Sequence, residues 1–309
     1  MNVAWVTGAR GFIGRHLSLE LSRRGELVAG VGHGHWPERE ARAWGMKHWL
    51  NGGLSEANLD VLRARTGPPA VLYHLAGGSN VGTSISAPLE DFHRTVEGGA
   101  RTFEWIRTRS PSTRIVVVSS AAVYGAGHDG PIGVNVRPCP FSPYGHHKLM
   151  LELLAQSYAR QFSVRTMVVR LFSVYGPGLQ KQLLWDLCSR LLQGCDSIVL
   201  GGNGGELRDW IEISDVTRLL IAAGESNDSE LDIINGGTGV GTSVRDIASR
   251  VVDAWGVDLP IDFSGKSRSG DPYSLVALPA CINQKPFVWT VPLEQGIPRY
   301  VEWFRESAS

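Results

Sequence analysis

Five residues of an apolar run, Val3 to Thr7, lead straight into Gly8-Ala9-Arg10-Gly11-Phe12-Ile13-Gly14, which opens a helical pattern from Phe12 to Ser22. Glycines at this G-x-x-G-x-x-G spacing let the main chain turn sharply, let a pyrophosphate approach the backbone, and let the helix pack close to the strand. The helix N-terminus then offers unpaired N–H groups and a partial positive charge to phosphate. Alone the loop is a weak signal, since any tight strand-to-helix turn uses glycine. Directly between an N-terminal strand and an amphipathic helix it points to a dinucleotide-binding β-α-β unit.

The pattern continues in that style. β-rich runs (Leu27 to Val31, Ala70 to Leu75, Ile115 to Ser119, Val164 to Leu171) alternate with helical ones (Phe92 to Ile106, Tyr144 to Phe162). Strands separated by helix-length segments predict an α/β fold with a doubly wound parallel sheet of the Rossmann type. Their nearly all-apolar character fits a sheet covered by helices on both faces. After Tyr175 the pattern changes: Gly176-Pro177-Gly178 makes a turn, and Leu184, Leu187, Cys188 and Leu191 fall at helical spacing. We therefore expect residues 1–175 to form the cofactor domain, joined by a segment near 212–236 that returns to it, and residues 176–309 to be mainly a smaller C-terminal substrate-binding lobe.

Composition removes several classes of function. Lys plus Arg and Asp plus Glu both total 30, so no long-range field favours nucleic acid or an anionic membrane. The four cysteines form no C-x-x-C pair and have no histidine at zinc-ligand spacing, so neither a disulfide framework nor a metal site is expected. With no basic leader and no apolar run long enough to cross a bilayer, the expected location is the cytoplasm.

The second strand bears on the cofactor. An NAD site usually places Asp or Glu at that strand's end, to hold the adenosine ribose hydroxyls. Here the run ends in Gly32-His33. Without the carboxylate a 2′-phosphate is not repelled, and Arg10 and His33 are candidates to approach it, so NADP is expected and NAD is the alternative. The plainer reading makes both ordinary solvated loop residues.

Chemistry is suggested by Ser119-Ser120-Ala121-Ala122-Val123-Tyr124-Gly125 and by Pro143-Tyr144-Gly145-His146-His147-Lys148. Tyr144 and Lys148 are four apart, so on a helix they share a face. A phenol beside an ammonium is expected to titrate below its usual value of about 10, giving an acid–base group nearer neutrality. Taken alone, such a pair is far more often two surface neighbours. The glycine loop and Ser120 at a strand's end reverse that judgement. His146 and His147 read as exposed or packing residues.

These motifs in this order, with His74-Leu75-Ala76-Gly77, Arg170-Leu171-Phe172-Ser173-Val174-Tyr175-Gly176-Pro177 and Arg208-Asp209-Trp210-Ile211, resemble the extended short-chain dehydrogenases/reductases of the nucleotide-sugar epimerase/dehydratase family. The resemblance implies that Ser120 hydrogen-bonds a sugar oxygen, Tyr144 transfers the proton, and Lys148 tunes Tyr144 and holds the nicotinamide ribose. It implies cofactor contacts from Gly8, Arg10, Gly11, Phe12, Ile13, Gly14, His33, Leu75 and Ala76. It implies substrate contacts from Ser120, Ser173, Arg208 and Arg268, with Lys181 and Gln182 as possible additions. Arginine suits a diphosphate because its planar fork donates paired hydrogen bonds; the bland alternative pairs Arg208 with Asp209 or Asp215. A homodimer through the helices Phe92 to Ile106 and Tyr144 to Phe162 is also implied.

Departures from the family pattern sharpen the expectation. Dehydratases carry an Asp-Glu pair where Ala121-Ala122 stands, Thr95 and Ser173 replace two usual asparagines, and Gly52-Gly53-Leu54 replaces Gly-Asp-Leu. The sequence therefore ranks an NADPH-dependent reductase of a nucleoside-diphosphate 4-keto-6-deoxyhexose first. A UDP-hexose-type 4-epimerase with tightly bound NAD comes second. A non-catalytic NADP-binding regulator and a reductase of a phenolic or steroid ketone come after these.

Overall fold

The computed structural model describes residues 2–226, 231–266 and 272–308. Six strands, β1 (Val3–Thr7), β2 (Leu27–Gly32), β3 (His48–Asn51), β4 (Val71–His74), β5 (Arg114–Ser120) and β6 (Thr166–Leu171), build most of a parallel sheet. The short β7 (Ser173–Tyr175), β8 (Ile198–Leu200) and β9 (Leu207–Glu212) follow, before β10 (Leu231–Gly236) completes the sheet beside β6. The order is β10-β6-β5-β4-β1-β2-β3, so the chain reverses its direction of travel between β1 and β4. In open α/β sheets a ligand crevice opens at the carboxyl ends of the strands at that switch point.

Helices α1 (Phe12–Arg23), α2 (Glu38–Ala43), α3 (Glu56–Thr66), α4 (Val81–Ser86), α5 (Pro88–Phe92), α6 (Gly98–Arg109) and α7 (Pro143–Phe162) belong to the first part of the chain. Then come α8 (Gln182–Leu192), α9 (Ile213–Glu225), α10 (Val244–Trp255) and α11 (Leu293–Ala308). Alternate side chains of each strand enter opposite layers. Trp5, Ile115 and Val117 pack with Leu59, Phe103 and Leu151 from α3, α6 and α7. Val6, Val116 and Val118 pack with Leu17, Leu21, Val216 and Leu220 from α1 and α9 on the other face. A separate core, including Leu184, Leu187, Val251, Tyr300 and Phe304, joins α8, α10 and α11, and the short strands β9, β11 (Gly241–Ser243) and β12 (Ser274–Leu275) form a small sheet. Among the described residues no helix is long and apolar enough to cross a membrane.

One segment departs from the sequence pattern. The single helix expected over Phe92 to Ile106 is α5, a π-turn at His93–Glu97, and α6. A π-bulge often marks a functional site. Here it presents Thr95, whose Oγ1 accepts the Gly78 N–H at 2.8 Å and so fastens the loop after β4.

Beneath the carboxyl ends of β5 and β6 lies a buried polar chain. Arg170 on β6 makes a forked pair with Glu152 on α7 (Nε–Oε1 3.0 Å, Nη2–Oε2 2.6 Å) and donates through Nη1 to the Tyr124 hydroxyl at 2.9 Å. Glu152 also accepts from Ser119, and Tyr124 donates to Asn235 on β10. The charges are 3% and 0% exposed, so removing one leaves the other without compensation. Glu152→Ala is expected to lower unfolding free energy in urea by about 3–5 kcal/mol. A loss under about 1 kcal/mol would show that the pair does not hold α7 to the sheet.

Candidate active site

The glycine loop is tight where the sequence reading needed it. Gly8 has φ +69°, and a Cβ there would sit 3.0 Å from the Ala76 nitrogen of the loop after β4. A Cβ on Gly14 would fall 2.5 Å from the Gly8 carbonyl oxygen and 2.6 Å from the Ala9 Cα, so α1 packs on this turn only with glycine. Thr7 Oγ1 accepts from the Ala76 N–H and shares a hydrogen bond with His74 Nδ1, both at 3.2 Å, which fixes the second wall at the switch point. Burial, and then the charge of Lys148, push His74 down to about 3, so it is neutral there. Gly11 caps α1 without a side-chain acceptor, leaving the first N–H groups of that helix for a ligand. Gly8, Gly11, Phe12, Ile13, Gly14, Leu75 and Ala76 all line one cleft of about 1020 Å³. This cradle fits a dinucleotide pyrophosphate, which needs backbone approach and unpaired donors.

Arg10 and His33 line the same cleft beside Gly53, and both are exposed. The Arg10 guanidinium lies against Gly34, whose N–H donates to Asn51 Oδ1 at 3.0 Å. No carboxylate stands at the end of β2, where Gly32, His33 and Gly34 follow one another.

The third wall comes from β5 and α7. Ser142 caps α7 by accepting from the Gly145 N–H, and Pro143 occupies the first turn, so the helix begins one residue before Tyr144. Lys148 is buried, and its Nζ donates to the carbonyl of Val118 at 3.0 Å and lies 5.8 Å from the centre of the Tyr144 ring. Val118 is two residues before Ser120, which lines the cleft together with Tyr144. The structure thus brings Ser120, Tyr144 and Lys148 together at the open end of the sheet. It corrects one expectation. Burial holds the Tyr144 phenol above its usual range, against the opposing influence of the Ser120 hydroxyl, so the phenol is not poised near neutrality in the unliganded molecule. The same burial lowers Lys148 to about 8, opposed by the charges of Asp91 and Glu152.

Opposite this wall lie Ser173, Arg208, Lys181, Gln182 and Trp210. Arg208 Nη1 donates to the Leu207 carbonyl at 2.8 Å. Its suggested partners are engaged elsewhere: Asp209 accepts from Thr238, Gly239 and Ala277, and Asp215 pairs with Arg218. Lys181 reaches across the cleft, its Nζ donating to the carbonyl (3.1 Å) and hydroxyl (3.0 Å) of Ser79. Gln182 follows with φ +68°, a left-handed conformation unfavourable for its side chain and typical of functional sites. Arg268 lies outside the described residues.

A buried acid that the sequence reading passed over lies behind Tyr144. Asp91 on α5 is 6% exposed, and its Oδ2 shares a 2.5 Å hydrogen bond with Nδ1 of His147 on α7. The pair is 56 positions apart, so neither residue announces the other.

Residues 4–237 match the family model described as "NAD dependent epimerase/dehydratase family". A UDP-glucose 4-epimerase of Azospirillum brasilense is 27% identical over 290 residues, covering 88% of this chain and 82% of that protein. A dTDP-glucose 4,6-dehydratase of Streptomyces antibioticus is 29% identical, covering 98% and 92%. Among solved structures, MoeE5 in complex with UDP-glucose and NAD superposes with a TM-score of 0.86 at 31% identity, over the whole of both chains.

Two outcomes follow from the cradle. Gly14→Ala forces α1 off the turn, an overpacking worth about 1–3 kcal/mol, so the affinity of the purified variant for nicotinamide dinucleotide is expected to fall by about 5- to 150-fold relative to the wild type. Retention equal to wild type would place the cofactor elsewhere. Because Lys148 is held at about 8, retention by the wild-type protein is expected to fall as pH rises through that value and the ammonium is lost. Filtration after equilibration between pH 6 and 10 reads this, and Lys148→Met is expected to show no such step.

Proposed function

The chain belongs to the NAD-dependent epimerase/dehydratase family, and from that membership and the geometry of its cleft we propose that it inverts C4 of a UDP-sugar, using a resident NAD. The observation that carries this reading is Ser120 and Tyr144 lining one cleft with the buried Lys148, whose ammonium lies 5.8 Å from the centre of the Tyr144 ring, beside the glycine cradle. A bound oxidised nicotinamide supplies a hydride acceptor and, being a cation, favours the Tyr144 phenolate. Tyr144 then takes the proton of the C4 hydroxyl, and Ser120 donates to the oxygen as it becomes a carbonyl. After the sugar turns over in the cleft, Tyr144 returns the proton to that oxygen. Lys148 holds positive charge beneath the ring throughout and is placed to bind the nicotinamide ribose.

Ala121 and Ala122 line the cleft beside Ser120 and carry no group able to move a proton, which favours epimerisation over loss of water. The sequence ranking placed a 4-keto-6-deoxyhexose reductase above an epimerase. The epimerase relatives, and MoeE5 with UDP-glucose and NAD, support the second of those readings. For the nucleotide, Arg208 is the proposed diphosphate contact and Ser173 a sugar contact. We also propose the division into a cofactor part, residues 1–175 with the return near 212–236, and a substrate part beyond it. We also propose pairing of two copies through the helices Phe92 to Ile106 and Tyr144 to Phe162, a reading supported by the exposed Met150 and Leu153 on α7.

One observation favours NADP instead: the end of β2 lacks an acid, and Arg10 and His33 line the cleft there. Mass analysis of the nucleotide released on denaturation decides between them, and NAD is expected. The purified protein is expected to interconvert UDP-glucose and UDP-galactose, or the matching pair of another UDP-sugar, with no net change at 340 nm. Tyr144→Phe is expected to lower kcat by about 10²–10⁴-fold. Consumption of added NADPH with a 4-keto sugar nucleotide, and no interconversion, would overturn the proposal in favour of a reductase.

A further inference from the structure

The Asp91–His147 pair has no place in the proton transfers above, yet it joins α7 to α5 and lies against Gly78 of the cleft loop. His147 sits on α7 between Tyr144 and Lys148, three residues from the first and one from the second, and is 9% exposed. Its ring meets Phe92 of α5 edge-on, with centres 5.6 Å apart. Asp91 hydrogen-bonds it at 2.5 Å through Oδ2, while Oδ1 lies against Gly78, so closely that a Cβ on Gly78 would collide with the carboxylate. Gly78 belongs to the loop, bounded by Ala76 and Asn80, that lines the cleft and leads into α4, whose Ser84 Oγ accepts the Tyr144 N–H at 3.0 Å. One carboxylate therefore joins three parts of the site: the catalytic helix, the π-bulged helix and the cleft loop.

We propose that Asp91 and His147 are positioning residues of the reaction: the buried pair registers α7 against the cleft loop and sets the field in which Tyr144 moves its proton and Lys148 keeps its charge. The inference rests on the reading of Tyr144 and Lys148 as the reacting pair. The surrounding charges make Asp91 an important local anion. Glu152, the other acid acting on Lys148, is already bound by Arg170. His74, on β4 near Lys148, is neutral. On the flanking helices Glu90 pairs with Arg94, and Glu97 pairs with His93 and Arg101, all at the surface. The Asp91 charge raises the proton affinity of both Tyr144 and Lys148. It helps keep the ammonium charged at neutral pH despite its burial. His147 in turn holds the Asp91 carboxylate in place through the bond to Oδ2.

The experiment is a pH series on the wild-type protein and on Asp91→Asn, His147→Leu and His147→Asn, with a thermal melt of each to confirm folding. In Asp91→Asn both limbs of the kcat/KM profile are expected to move to lower pH by about half a unit to one unit, since both groups lose the same anion. His147→Leu is expected to move them the same way, and His147→Asn, whose amide still donates to Asp91, to move them less. A readout without turnover runs beside this. Phenolate absorbance at 295 nm, taken as the difference between each protein and its Tyr144→Phe counterpart, is expected to titrate at lower pH in the Asp91→Asn background. Variants that lose rate and melting temperature while both limbs and the phenol titration stay at wild-type positions would show a merely structural pair and overturn the inference. If Asp91→Asn does not fold, the two His147 variants make the same comparison. Should the wild type act on no UDP-sugar, the proposed function fails, while the phenol titration still tests the inference.

Discussion

Lys148 donates its buried ammonium to the carbonyl of Val118 at 3.0 Å, and the site is arranged around that bond. It ties α7 to β5 two residues before Ser120, so the hydroxyl at the strand's end and the phenol one helical turn before the lysine face the same cleft. An interior cation is costly unless neighbouring acids offset its lost hydration. Here the offset comes from two directions: Glu152 one turn further along α7 and Asp91 across the helix interface. Glu152 is fixed by Arg170 and Asp91 by His147. The ammonium is thereby kept without an acid in direct contact, which would neutralise the charge it offers to the cleft.

The sheet supplies the other half of the geometry. The reversal between β1 and β4 opens the crevice, Gly8 and Gly14 let α1 and the Ala76 loop close on it, and β10 and α9 complete the layer that supports β5 and β6. The C-terminal elements then close the far wall. Lys181 meets Ser79 across the opening, and Ser173 and Trp210 lie side by side on β7 and β9.

Much of this was legible because its signals are local. The glycine spacing, the four-residue step from Tyr144 to Lys148, and the apolar strands each depend on a few consecutive residues and on backbone geometry. What escaped depends on contacts between distant segments. His147 reads as a packing residue until α5 brings Asp91 to it, and Lys181 meets Ser79 across 102 positions. The Tyr144 phenol was expected to fall below its usual range, because the sequence shows the ammonium beside it but not the burial that outweighs the charge. The helix expected from Phe92 carries a π-bulge because Thr95 must reach Gly78, a tertiary demand that apolar periodicity does not encode. The cofactor reading rested on a missing acid at the end of β2. A missing acid removes a preference without creating one, and the match to the NAD dependent epimerase/dehydratase family outweighs it.

The central claim is that Tyr144, Ser120 and Lys148 let C4 lose and regain the same hydride inside the cleft. Conversion of a UDP-hexose carrying deuterium at C4, followed by mass spectrometry of the epimeric product, tests this most directly. Full retention of the label at C4, with no deuterium in water or in free nicotinamide, is the result this account predicts. Replacement of the label by solvent hydrogen, or its appearance in released reduced cofactor at one equivalent per sugar, would contradict it.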